Sequence, residues 1–506
     1  NPPDEKAPVA ALSAEARALL ASVQRLLFQR DARPNESVLT FKDDAAMQRF
    51  LARAGKAGLA VLGQVDALRS VRVRFEDLKS LQRDVLANAD DYAAAAGNAL
   101  MHIPQPPARE ERAALDQVPF GNRTLDFLGA TGDRSQWGRG NTIAILDTGV
   151  SGDATFGAGR LRTLDIGLGT APESSSAREG GHGTAVAALA AGASPDAGGV
   201  APGANLLSIR VTDANGTSDI FTVAHAIVAA VDAGAKIVNV SLGGYATNAT
   251  LDAALTYATE RGALIVAAAG NDQAAQLTWP AADPRVVSVG AIDAAEQQVA
   301  FSNSGAQLQL TAPGYGVQTA WLNGQRVYID GTSASSPLVA GAIAAVMSRN
   351  PSLTPQQAAQ LLARTASDGG APGVDPAFGH GILNLGWALN SANPGYVDTA
   401  VSSHFYDAAS NQMQIVVQNR SGRAVTGLAL NVTAGTLGQN FSVPPLAPGE
   451  SYVAKMPVDS AALRNSGSLN YLTVLSNPIG VTDQVPANNR KTSVLTPAPR
   501  PPGGSR

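Results

Sequence analysis

The sequence predicts an α/β protein: a parallel sheet covered by helices on both faces, preceded by a small α+β unit and followed by an all-β sandwich. Three observations carry this expectation. Between about 117 and 390, short and nearly continuous apolar runs alternate with Ala-rich helical stretches. Ahead of them, a short segment mixes alternating and helical periodicities. Beyond Asn393-Pro394 the helical pattern stops and short alternating runs recur between Gly, Pro and Asn turns. At 506 residues the chain is too long for one hydrophobic core, so several domains are expected.

Residues 1–35 read as an N-terminal extension, in which 13–30 place Leu19, Leu20, Val23, Leu26 and Leu27 on one face of an amphipathic helix begun near Ser13 and Glu15. Residues 36–104 follow as a compact unit. Its signals are a strand at 38–41, a helix from Asp43 to Ala54, an alternating VRVRF at 71–75, a helix from Glu76 to Ala87, and a last strand at Leu100–Ile103. Together these suggest a β-α-β-β-α-β, ferredoxin-like arrangement. Residues 105–116, with clustered prolines and charges and no apolar periodicity, read as an exposed, cleavable connector.

In the central region, 117–392, the strands expected are 142–147, 205–211, 236–242, 263–270 and 286–291. Sites in such sheets lie at the carboxyl ends of the strands. The runs 412–419, 426–434, 451–458 and 469–477 belong to the sandwich, assigned to 396–495 and followed by a Pro/Gly-rich tail at 496–506.

Composition narrows the function. Hydrophobic residues make up 45% and charged ones 15%, and no apolar run approaches the ~20 residues of a membrane-spanning helix. A net charge of -4 without a Lys/Arg cluster argues against nucleic acid as a partner. Cysteine is absent, which excludes thiolate chemistry without choosing a compartment. The start at Asn1-Pro2-Pro3-Asp4 fits a chain whose targeting peptide has been removed, so a secreted or extracytoplasmic location, periplasm or cell surface included, is expected.

Three motifs carry chemistry: AILDTGV (144–150), GGHGTAVAALAAG (180–192) and GTSASSPLVAGAIA (331–344). With SLGG (241–244) and AAAGND (267–272) they closely resemble the subtilisin family of serine peptidases over about 117–390. The order Asp, His, Ser is subtilisin's own, so the match is recognised by likeness rather than deduced. The resemblance implies an endopeptidase acting through Asp147, His182 and Ser333, with Asn271 holding the oxyanion.

The residues themselves support those roles. A serine hydroxyl is a poor nucleophile until an imidazole takes its proton, and the imidazole needs a carboxylate to fix its tautomer. Ser333 stands just before a Pro-initiated helical run, where backbone N–H groups point outward. His182 opens a helix of small residues, and Asp147 and Asn271 stand at strand ends. Alone, each has an ordinary role as cap, structural histidine or turn residue. The combined motifs outweigh those roles.

By the same resemblance, Ser241, Leu242 and Gly243 face Ala268, Ala269 and Gly270 across the pocket for the side chain before the scissile bond. Thr278 forms its floor, shortening it, and Asp272 stands near its rim. Segment 216–223, through Gly216, Thr217, Ser218, Ile220 and Val223, is expected to be an edge strand that pairs with substrate backbone and lines an apolar subsite. Extended, apolar-leaning protein or peptide segments are the implied substrates.

Ala185 stands where many relatives carry a second His. Residues 194–203 lack the Asn-containing loop of the high-affinity calcium site, and Asp196 alone falls far short of the roughly 6–8 oxygens the ion takes. No cofactor is called for and no calcium or other metal site is identified.

The N-terminal unit resembles the inhibitor and intramolecular chaperone that precedes many subtilisins, so the chain's own prodomain is an expected partner, removed by cleavage between about 100 and 116. Two other readings remain: a non-catalytic binding protein that keeps the fold, and a processing enzyme whose sandwich selects one partner. The acid-active sedolisin type is disfavoured by His182 and Asn271.

Overall fold

The structure, a computed structural model, describes residues 13–26, 31–106, 117–152, 154–169, 180–195 and 197–497. The centre is a seven-stranded sheet among these residues, in spatial order Leu310–Pro313, Val287–Ile292, Leu264–Ala268, Ile237–Val240, Thr142–Asp147, Asn205–Arg210 and Leu161–Leu164. Every neighbouring pair is parallel. The central strands Thr142–Asp147, Ile237–Val240 and Leu264–Ala268 are buried on both faces, whereas the edge strand Leu161–Leu164 is partly exposed. One face packs the helices His182–Ala191 and Thr332–Arg349 into one apolar cluster. The other packs Ile220–Asp232 and Ala249–Glu260 into a second.

Two local expectations change. The helix bearing Ser333 begins at Thr332, not at a proline, and Pro337 lies inside it. The proline stands in the second turn, where it removes the N–H that would reach the Ser333 carbonyl four residues back, and the Ser241 hydroxyl donates to that carbonyl instead, at 3.3 Å. Segment 216–223 is strand only at Thr217–Asp219, so Ile220 and Val223 are helical instead. Asp219 accepts hydrogen bonds from the backbone N–H and hydroxyl of Thr222, and this cap starts the helix where a strand was expected.

The N-terminal unit has the expected order: strand Ala32–Phe41, helix Asp44–Arg53, strands Leu59–Val65 and Ser70–Phe75, helix Leu78–Ala87, and strand Tyr92–His102. The strand at 59–65 had no strong sequence signal, because its middle residues are exposed and the alternation is lost. The first helix spans Ala14–Arg25, and the part expected from Leu27 to Arg30 lies outside the described residues. Leu19 and Val23 of that helix pack with Phe41, Phe50 and Tyr92 in a core belonging to this unit.

The sandwich sets strands Thr399–Asp407, Gln412–Asn419 and Ser451–Pro457 against Ala429–Ala434, Leu437–Ser442, Leu469–Ser476 and Arg490–Leu495. A short helix, Ser460–Ser466, interrupts the expected all-β pattern; Asp459 caps its first N–H groups and Gly467 ends it. The connector from 107 to 116, Asp196 and the tail from 498 lie outside the described residues.

Candidate active site

Asp147 ends a central strand and is fully buried, with its carboxylate fixed by the N–H of Thr148 at 2.7 Å. The imidazole of His182 meets it through Nδ1, 2.8 Å from Oδ1 and 3.0 Å from Oδ2. This contact needs the helix from His182 to approach the strand end closely. A Cβ on Gly183 would stand 2.4 Å from the Gly149 carbonyl oxygen and 3.2 Å from the Asp147 Cβ, so only glycine permits the approach. Thr148 locks the junction by accepting the Gly183 N–H at 2.9 Å. A carboxylate on Nδ1 sets the tautomer in which Nε2 carries the lone pair of a base.

Ser333 lies in the first turn of the Thr332–Arg349 helix, and the residue capping that helix is Gly331 at φ 134°, a conformation closed to ordinary side chains. A Cβ on Gly331 would lie 2.8 Å from Asn271 Nδ2 and 3.1 Å from Ser333 Oγ, so amide and hydroxyl flank one point. Asn271 is oriented by its neighbours. Its Oδ1 accepts both the N–H of Thr332, at 3.0 Å, and its hydroxyl, at 2.9 Å, which turns Nδ2 outward. Behind Ser333, the Ser241 hydroxyl bridges the Ser333 carbonyl, the Ser336 hydroxyl and the Asn239 amide in a buried network.

The outward Nδ2 of Asn271 donates to the carbonyl of Pro104 at 2.8 Å. Pro104 follows the strand Tyr92–His102, which leaves the N-terminal sheet and runs across this site. His102 pairs with Thr217 and Met101 with Ser218, both antiparallel. His102 also exchanges two backbone hydrogen bonds with Gly243, at 2.8 and 2.9 Å, and Ile103 donates to the Gly216 carbonyl at 3.0 Å. The segment is thus held between two edges, 216–219 and 243. Met101 and Ile103 are buried in the apolar cluster that holds Ile220, Val223 and Leu242.

Around this strand the N-terminal unit docks through polar groups. Arg33 and Arg72 pair with the buried Asp219. Glu36 receives Arg72, Arg74 and Asn98; burial would raise its pKa, but these donors hold it below the usual range. Asn98 then accepts the N–H of Phe221, and Thr40 and Ser70 meet Thr250.

Of the sequence-derived wall residues, Gly243 and Gly270 lie against the Thr278 side chain, whose hydroxyl reaches the Ala268 and Ala269 carbonyls at 3.4 and 3.3 Å, whereas the Ser241 hydroxyl is directed to Ser333 and Ser336. Sequence reading missed Thr332, Asn303 and Tyr245. The first stands beside the serine in GTS and carried a signal; the other two hold the site through contacts distant in sequence. Among the described residues, no group of three or more His, Cys, Asp or Glu side chains is placed to hold a metal ion.

Helices on both faces of a parallel sheet, with a buried carboxylate–imidazole pair and a serine at a helix N-terminus, define the class of α/β serine hydrolases. Comparison with known proteins narrows that class. The sequence profile of the Subtilase family (Peptidase_S8) matches residues 138–381. Subtilisin Savinase from Lederbergia lenta is 35% identical over 270 residues, 53% of this chain and 97% of that protein. The thermostable alkaline protease of Halalkalibacterium halodurans is 34% identical over 273 residues, 54% of this chain and 73% of that one. The chain belongs to the subtilase family and is a serine endopeptidase. Crystalline fervidolysin from Fervidobacterium pennivorans, a keratinolytic enzyme related to subtilisin, shares the fold over 92% of this chain and 77% of its own, with a TM-score of 0.60 and 20% identity. No helix among the described residues is long and apolar enough to cross a membrane.

Proposed function

We propose that Asp147, His182 and Ser333 form the catalytic triad, and that residues 36–104 are an inhibitory prodomain bound as the product of its own cleavage at Pro104-Gln105. His182 takes the proton of Ser333 as its Oγ attacks the carbonyl carbon of the scissile bond. The oxyanion is met by Asn271 Nδ2 and the N–H of Ser333. His182 then passes the proton to the leaving amine, and water repeats the cycle on the acyl-enzyme.

The observation that carries this reading is the 2.8 Å hydrogen bond from Asn271 to the Pro104 carbonyl, at the end of a strand paired on both sides. A carbonyl there is the one a serine beside Asn271 would attack. The proposed limits are 105–116 for the connector, 117–392 for the peptidase domain and 396–495 for the sandwich, and an extracytoplasmic site of action goes with self-processing of a proenzyme.

Ser333→Ala tests the reading. The variant should stay a single uncut chain without fluorophosphonate labelling, while wild type yields a fragment beginning at Gln105. Labelling at the wild-type rate would remove Ser333 from its role. An intact yet fully active wild type, with separately made 1–104 failing to inhibit 117–506, would remove the prodomain from its own.

A further inference from the structure

We propose that the subsite for the side chain before the scissile bond is a closed, shallow slot, so that this peptidase cleaves after small residues such as alanine, serine and proline, and that Thr278, Tyr245, Asp272 and Asn303 close it. The proposal rests on the assignment of Ser333 and Asn271 given above.

Thr278 fills the depth of the slot. A Cβ on Gly243 would come within 2.4 Å of its Oγ1, and a Cβ on Gly270 within 2.9 Å of its Cγ2. The two wall glycines therefore face each other across the threonine side chain, with no space for an aromatic ring between them. Nor can the walls spread, because both are tied to the segment that carries the threonine. Thr278 donates to the Ala269 carbonyl at 3.0 Å, and Gly244 and Trp279 exchange two backbone hydrogen bonds at 2.7 and 3.1 Å.

The mouth is cross-linked as well. The Tyr245 hydroxyl, beyond one wall, donates to Asp272 Oδ2 beyond the other at 2.6 Å. Asn303 Nδ2 donates to the same hydroxyl at 3.0 Å, while its Oδ1 accepts the N–H groups of Asp272 and Ala274 at 2.9 and 3.0 Å. Partial burial and the bond to Asp272 push the Tyr245 phenol up to about 12, so it remains a donor through the neutral range. The Asp272 carboxylate is thereby drawn onto tyrosine rather than left to attract an incoming lysine.

The chain's own segment fits such a slot. Met101 is 0% exposed and Ile103 3%, whereas Pro104, whose carbonyl reaches Asn271, keeps part of its ring in solvent. Recognition comes from the side chains upstream, and the last position contributes little beyond fitting.

Peptides that copy Met101-His102-Ile103 and differ only in the next residue (Ala, Pro, Leu, Phe or Lys) test the proposal on the processed enzyme, with active sites titrated by a fluorophosphonate. The expected kcat/KM for Ala exceeds that for Phe and Lys by at least about tenfold, with Pro cleaved measurably. Thr278→Gly should raise the Phe-to-Ala ratio about tenfold, and Tyr245→Phe should raise the Lys-to-Ala ratio; ratios are independent of how much enzyme folds. Phe or Lys cleaved by wild type as fast as Ala overturns the slot. No labelling and no hydrolysis of any peptide overturns the nucleophile assignment itself, and the slot with it.

Discussion

Met101→Ala separates docking of the N-terminal unit from its folding. Met101 is fully buried in the cluster with Ile220 and Val223, which Val38, Val65, Leu68 and Ala99 of its own unit join, and not in that unit's separate core around Phe41, Phe50 and Tyr92. Its backbone likewise pairs with Ser218, beyond the last internal pairing of Ala99 with Ala32. Truncation should therefore leave the unit folded and weaken its hold on the enzyme. Full burial of such a side chain contributes about 1.5–3 kcal/mol by transfer, and the cavity left behind adds to this. Taking about 2–3 kcal/mol, the inhibition constant should rise by about 30- to 150-fold at 1.4 kcal/mol per decade. The assay titrates 1–104, wild type and Met101→Ala, against 117–506 and reads peptide hydrolysis. Leu62→Ala, at a position 41% exposed on the same unit, serves as control and should change inhibition less than about threefold. If Met101→Ala also stays within threefold, the strand is not held in the cleft as described.

Asn271→Ala should lower kcat by about 10²–10³ with little change in KM, a size known for removing this donor from subtilisin rather than worked from this structure; unchanged kcat in steady-state assays would refute the oxyanion role. His404 sits between the Ser493 and Thr473 hydroxyls at 2.7 and 2.9 Å, and burial, helped by Lys491, lowers its pKa from 6.5 to about 4. The unfolded chain takes up this proton near 6.5 and the folded one only near 4, so stability is whole above 6.5 and falls by up to ~3 kcal/mol as pH drops toward 4. In a Ser333→Ala background, His404→Gln should flatten the loss of Tm between pH 7 and 4.5; an equal loss in both proteins would refute the assignment. Deleting 396–506 in the same background should lower Tm. The deletion removes the Ser402 and Ser403 hydroxyls from Asp368 and the Arg420 guanidinium from above Trp387, and each hydrogen bond exchanged for water costs about 0.5–1.5 kcal/mol. An unchanged melting curve would mean that the sandwich is an independent appendage.

Much of the fold was legible because the central strands are buried on both faces. Val, Ile, Leu and Ala then run without interruption, as in Ile237–Val240 and Leu264–Ala268, and the pattern announces itself. The strand Leu59–Val65 could not be read in that way, since Val61 and Leu62 point to solvent and the alternation dissolves. The stretch after Gly216 was misread because Ser, Asp and Thr near a β-branched run suit both a strand edge and a helix cap. Only the bonds from Thr222 to Asp219 decide between them. The candidate site divides in the same manner. Asp147, His182, Asn271 and Ser333 stand in local motifs, whereas Tyr245 meets Asp272 and Asn303 through contacts that no local pattern encodes.

That division bears on what the N-terminal unit can evolve to do. Its docking contacts concentrate on one segment of the enzyme, from Gly216 to Phe221, which serves at once as edge strand, helix cap and ion-pair partner. Asp219 caps its own helix through Oδ1 while Oδ2 faces Arg33 and Arg72 of the N-terminal unit. The carboxylate is 1% exposed with the unit in place, and removing the unit returns it to water without disturbing the cap. An ion pair buried only in the complex repays its desolvation only if both partners stay paired, so it discriminates between the docked N-terminal unit and an ordinary substrate more than it adds raw affinity. A peptide substrate can reproduce the backbone pairing of Met101 to Pro104, but it brings no Arg33 or Arg72. On the proposed reading, the cleft can therefore hold its own N-terminal unit tightly while releasing the product of any other chain.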